Sequence, residues 1–293
     1  MKGICGLCKK DSILKMSHII PKFIHKWQKE TSATGHRRSG ENINKRVQDS
    51  TKIYLLCGDC ENLFNKWETY FANSMFLSLI GDEDNIKYDA NFLKFCVSVS
   101  WRVAVYFKKR NLLSHLSPTQ LKQMDKALLK WENFLLGKHK NPGKYGQYIL
   151  NFAGEWSCTD SPPNIHRYLQ RYDQLDVIAG NDTVLVISKL PGFLIAGCIN
   201  LKTPSQWQPL RICLKRGYLR HKDIFLPDGI WDYLKTKAAR AIELNESIST
   251  KQKIVIAKDY KKNIDKAATS DTLRSLGKDV KVFGVDKVFK NKK

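Results

Sequence analysis

The chain has 293 residues, 42% hydrophobic and 11% aromatic, a globular composition with room for one large domain or two ordinary ones. Fifty Lys and Arg face 28 Asp and Glu, a formal charge of +22, so the expected partner is nucleic acid and not a membrane, with a solvated basic surface of no specific role as the alternative and an anionic membrane surface only third. No apolar core of a signal peptide follows Lys2, and the most apolar window, 183–201, is broken by Lys189, Pro191 and Gly192, so neither secretion nor a membrane span is expected.

The expected location is therefore the cytosol, a reducing compartment where paired cysteines serve as metal ligands rather than disulfides. Residues 1–60 read as irregular and basic. They contain two Cys-x-x-Cys pairs, a polar stretch at 31–44 that reads as a long loop, and a short strand over 52–56. Between 61 and 79 the apolar residues Leu63, Phe64, Trp67, Tyr70, Phe71, Met75 and Leu79 recur at helical spacing. A second helix is predicted over 91–111, with Phe92, Phe95, Val99, Val103 and Phe107 on one side and Arg102 salt-bridged within the core. Ser117 then caps a third helix, with Pro118 at its first position and Gly137 at its end.

Residues 138–146 read as a linker. Beyond it, strands are predicted over 147–156, 176–187, 192–201 and 210–214, with turns at Asn181-Asp182 and Pro191-Gly192. A helix is predicted over 231–245. The last 43 residues carry 13 Lys or Arg against five Asp, and 286–293 read as a frayed tail. The expected fold class is α+β, in three parts: an N-terminal zinc-bound finger (1–80), a helical segment (81–137), and a β-rich α+β body of unassigned role with a basic tail (138–293).

Cys5 with Cys8 and Cys57 with Cys60 form two knuckles 48 residues apart. Four thiolates close a tetrahedral structural zinc site and leave no position for a substrate. Such a site replaces a hydrophobic core for the loop it encloses. Cys96, Cys158, Cys198 and Cys213 have no paired neighbour and read as core residues.

After the first knuckle comes Ser17-His18-Ile19-Ile20-Pro21, and a strand then runs into Leu56-Cys57-x-x-Cys60 and a helix. Over about residues 3–75 this pattern resembles the HNH, or His-Me finger, endonucleases. The resemblance implies a ββα finger with His18 as general base on a water that attacks a phosphodiester. It also implies one divalent ion, magnesium or manganese, on the charge that develops at the phosphate. The sequence departs from the family where Ser17 stands in place of an acidic residue or a second histidine, and where Lys52 stands in place of the middle asparagine. Asn44, with Asn42 beside it in the loop as the alternative, is the candidate to orient His18 instead, and Glu61 with Asn65, one turn apart on the helix, are candidates for the ion, with Glu68 on the same face. Lys22, Lys26, Arg37, Arg38, Lys45 and Arg46 are the expected phosphate contacts, and DNA is expected in preference to RNA. Heads of this kind on unassigned bodies occur in bacterial defence against phage, and the body is then a candidate surface for a protein partner. Two other readings stay open: a nucleic-acid-binding module without catalysis, and an interaction subunit in which the finger is scaffold.

Overall fold

The computed structural model describes residues 1–40, 42–81, 83–154, 160–180, 182–220 and 226–289. The chain opens on β1 (Lys2–Ile4) and β2 (Asp11–Ile13), an antiparallel pair whose turn carries the first knuckle. β3 (Lys15–His18), α1 (Lys22–Glu30), β4 (Arg37–Arg38), β5 (Arg46–Val47) and β6 (Lys52–Leu56) follow. β3 pairs with β6 and β4 with β5, both antiparallel, so the predicted loop at 31–44 contains a strand.

The single helix expected over 61–79 is two, α2 (Gly58–Ser74) and α3 (Phe76–Ile80), broken at Met75, whose ψ is −33° with φ at −136°. The break has a packing cause. An unbroken helix would turn Phe76 about 140° away from Phe71. With the break, both rings meet Phe193, at 5.7 and 6.4 Å.

β7 (Ile86–Asp89) leads into α4 (Ala90–Lys109), capped by the Asp89 carboxylate. α5 (Pro118–Leu135) has the full capping box, with Ser117 and Gln120 each bonding the other's backbone, and Gly137 takes φ +74° just past its end. Then come β8 (Gln147–Asn151), α6 (Ile165–Arg171), β9 (Gln174–Gly180), β10 (Thr183–Leu190), β11 (Phe193–Asn200), α7 (Pro204–Trp207), a 3₁₀ turn (Gln208–Leu210), β12 (Arg216–Leu219) and α8 (Ile230–Glu246). Four helices close the chain: α9 (Thr250–Lys262), α10 (Ile264–Ala268), α11 (Asp271–Phe283) and α12 (Val285–Val288). The tail expected to fray is thus helical as far as Val288.

The central sheet has the order β8-β11-β10-β9, all neighbours antiparallel. Alternate residues go to opposite faces. Val184, Val186, Ile195 and Ile199 join the core that holds α2, α4 and α5. Leu185, Ile187, Leu194 and Ala196 join a second core with α6 and α8. Both faces are covered, which is why these strands read as unbroken apolar runs. The β10–β11 turn is Pro191-Gly192 with Gly192 at φ +82°, as the third position of a type II turn requires. A Cβ there would also lie 2.8 Å from Ile80 Cγ2.

The strand expected over 210–214 is absent. Arg211 makes an isolated bridge to Tyr148, and the strand lies further on, at β12, paired with β7. Cys96 and Cys198 are buried as expected, but Cys213 is exposed. Cys158, the end of the strand expected over 147–156, and Asn181 of the predicted turn lie outside the described residues; Asp182 has φ +62°. Among the described residues, no helix is long and apolar enough to cross a membrane.

Candidate functional site

The two knuckles meet because β1–β2 folds back on the end of β6. The Gly6 N–H donates to Leu55 O at 2.8 Å, and a side chain at Gly6 would strike Leu55 Cδ1 at 2.7 Å. Cys57 is the N-cap of α2 and Cys60 lies in its first turn, so the start of the helix sets both thiols against the first knuckle. The four Sγ atoms lie within 4.8 Å of one another, and Cys8 and Cys57 are 3.8 Å apart. Metal–sulfur bonds of about 2.3 Å in tetrahedral geometry set sulfurs about 3.8 Å apart. The four cysteines are therefore positioned to hold one metal ion. The Cys57 N–H donates to Cys5 Sγ at 3.3 Å. Burial raises the Cys5 thiol, but this bond and those from Cys8 and Leu7 outweigh it and bring it down to about 7. The knuckle is anchored outside the cluster too: Glu132 of α5 accepts from Lys9 Nζ at 2.7 Å and from Trp101 Nε1 at 3.2 Å.

His18 ends β3 opposite Lys52 of β6. Its Nε2 lies 2.9 Å from Asp49 Oδ1, and Asp49 is also bound by the Lys52 ammonium and, at 2.8 Å, by the Ser50 N–H. Burial raises the Asp49 carboxyl, but Lys52, the Ser50 N–H and His18 together hold it far below the usual range. An ionised Asp49 accepts from Nε2–H, which leaves the lone pair of His18 on Nδ1. Lys52 therefore holds the carboxylate that orients His18.

Asn44 is elsewhere: its Oδ1 accepts the Ser249 N–H at 2.9 Å, at the start of α9. Glu61 meets Ser17, the residue before His18, whose buried hydroxyl donates to Glu61 Oε1 and accepts from the Leu56 N–H at 3.3 Å. Asn65 is exposed one turn further along α2. Glu68 is committed to Arg102 at 2.6 Å, and Arg102 also donates to His18 O at 3.0 Å. The core salt bridge expected of Arg102 is present, and it steadies the backbone of His18.

Of the expected phosphate contacts, Lys22, Lys26 and Lys45 are exposed, with Lys26 at 3.8 Å from Glu30. The arginines are engaged. Arg37 pairs with Asp173 at 2.5 Å and donates to His25 Nδ1. Arg38 donates to Ile43 O at 3.0 Å and to Gln252 Oε1 at 3.2 Å, and Arg46 pairs with Asp259. Arg37 is thereby tied to Asp173, just before β9, and Arg38 and Arg46 to α9. Asp49, Asp173 and Asp259 each stand alone in sequence, with no spacing that marks them.

His25 is buried, and burial lowers its pKa to about 4, with the Arg37 charge adding and Asp173 opposing. The pKa is lower folded than unfolded, so the unfolded chain takes up the proton first as pH falls. Stability is thus expected to fall between pH 6.5 and pH 4, by up to about 3 kcal/mol. Denaturant midpoints at pH 7, 5.5 and 4.5 should drop more steeply for the wild type than for His25→Gln. Parallel slopes would remove His25 as the cause.

No family model matches this chain, and neither does any curated protein or solved structure.

Proposed function

We propose that the chain is a metal-dependent endonuclease of the HNH type, with zinc in the four-cysteine site and nucleic acid, DNA in preference to RNA, as substrate. The observation that carries the reading is the His18–Asp49 pair, set on β3 beside the Ser17–Glu61 contact. Asp49 fixes the tautomer that leaves Nδ1 free to take a proton from water. Carbonyl and carboxylate contacts from Arg102 tie that histidine to the rigid core, so the base is held before substrate arrives.

A magnesium ion takes one or two protein carboxylates and fills its other positions with water and substrate phosphate. Glu61 suffices as the protein share, with Asn65 a turn away, and the bound ion would stabilise charge on the phosphate and leaving oxygens. The exposed Lys22, Lys26 and Lys45 then serve as the phosphate contacts. Defence against phage is a setting that fits such a head on a larger body.

The second reading, a nucleic-acid-binding module without catalysis, is favoured by the Ser17 hydroxyl, which occupies the Glu61 carboxylate. The two separate in one experiment. With magnesium or manganese and plasmid DNA or RNA, the wild type should cut. His18→Ala should lower the rate by about 10²–10⁴. Asp49→Asn should lower it by at least about tenfold, because an amide no longer fixes the tautomer. Salt-sensitive binding without cutting by the wild type would establish the second reading.

A further inference from the structure

A cavity of about 680 Å³ lies between residues 32–40 and 43–51 on one side and helices α6 and α8 on the other. That is the size of small-molecule sites, about 300–1,000 Å³. Its lining includes Arg37, Arg38, Arg167, Arg171, Lys237 and Arg240 against two carboxylates, Asp49 and Asp173. Three of the cations are matched by acids: Arg37 by Asp173, Arg171 by Asp271 and Lys237 by Asp176. The other three are not. Arg38 is held by a carbonyl and an amide oxygen and Arg167 by the Tyr172 hydroxyl. Arg240 is exposed, and no carboxylate among the described residues pairs with any of the three.

Two further atoms of the lining residues are buried without a partner, His25 Nε2 and Gln28 Oε1. With Nδ1 accepting from Arg37, Nε2 carries a proton and has no acceptor among the described residues. One donor and one acceptor left unmet among the described residues of a cationic cavity suit a polar ligand. The wall is completed by Tyr106, Phe107, Leu175 and Leu244, which offer flat and apolar surface.

We propose that this cavity binds a free nucleotide, its phosphates on Arg38, Arg167 and Arg240 and its base against the aromatic and apolar wall. Arginine suits phosphate through its paired donors, and aromatic faces stack on bases of any identity. A compact ligand fits better than a continuous strand because the two walls are bridged. Gln28 donates to Arg171 O and to Asp173, both at 2.9 Å, Arg171 donates to Thr31 Oγ1 at 2.8 Å, and Arg38 reaches Gln252. The site does not depend on the nuclease reading.

The test is titration calorimetry on the full chain with ATP, GTP, CTP and UTP, and with adenosine and a 12-nucleotide single strand of DNA as comparisons. At least one triphosphate should bind with Kd below about 1 mM, and its nucleoside at least about tenfold more weakly. The double variant Arg167→Gln, Arg240→Gln should lose at least about tenfold in affinity while circular dichroism and metal content stay unchanged. His18→Ala should leave the affinity as it is, so this inference and the nuclease reading fail separately. Heat from none of the four triphosphates, an unchanged affinity in the double variant, or binding of the oligonucleotide alone would each overturn the proposal.

Discussion

Removing the metal is expected to unfold the N-terminal module. The strands of this region are short: three paired residues in β1–β2 and four in β3–β6. Two-stranded pieces of that size are not stable by themselves. What they contribute to the core, chiefly Leu7, Leu14, Ile19, Ile20, Leu55 and Leu56, is buried only while the two knuckles stay together. The knuckles themselves bring four sulfurs within 4.8 Å. Without an ion, that packing has thiols crowded against one another with no compensating bond.

Structural zinc sites in small peptides are worth about 10–16 kcal/mol at neutral pH, which bounds the effect here from above. A chelator, or Cys57→Ser, should therefore abolish bound metal and expose the amides of residues 1–60 to exchange. Metal should fall from one ion per chain to none, by elemental analysis. Exchange mass spectrometry should show the loss reaching Trp101 and Glu132 through Lys9. A chain purified free of metal with an unchanged melting temperature would defeat the assignment.

Glu68→Ala should cost about 3–5 kcal/mol, because it leaves the Arg102 guanidinium buried and without a counter-charge. Arg102 is 2% exposed, and its Nη2 already lacks a partner. The carboxylate comes from α2 and the guanidinium from α4, so the pair also locks two of the longest helices of the core. The comparison that isolates the charge is Glu68→Leu with Arg102→Met. Replacing both partners by apolar groups of similar volume should recover most of the loss. Urea denaturation of the two single variants and the double gives the coupling directly. A single-variant cost below about 1 kcal/mol would mean that water reaches Arg102. On the proposed nuclease reading, the double variant should remain stable while cutting slows, since Arg102 also donates to His18 O.

Features carried by adjacent residues were legible in the sequence. The Cys-x-x-Cys spacing predicts a pair of knuckles, and the four sulfurs converge. Ser117, Pro118 and Gln120 specify a helix start through bonds within four residues, and the capping box is there. Pro191-Gly192 specifies a type II turn because only glycine takes its third position without strain. The apolar runs of β10 and β11 announce burial, although not that helices cover both faces.

Contacts between distant residues were not legible, because a pairing across a long stretch of chain has no period. His18 finds Asp49 at a separation of 31 residues, where the sequence pointed to Asn44. Arg38 meets Gln252 across 214 residues and Arg46 meets Asp259 across 213, so Arg46, which read as a phosphate contact, is neutralised within the fold and Arg38 is turned toward the C-terminal helices. The basic tail hides its own acids in the same way. Asp271 and Asp279 turn inward to Arg171 and to His166, which leaves the lysines outside. Local chemistry is written in sequence order, and so the sequence by itself determined the metal site, the capped helices and the hairpin turn. Which carboxylate faces which cation depends on how the layers stack, and only the tertiary structure decided the partner of His18 and the cavity beside it.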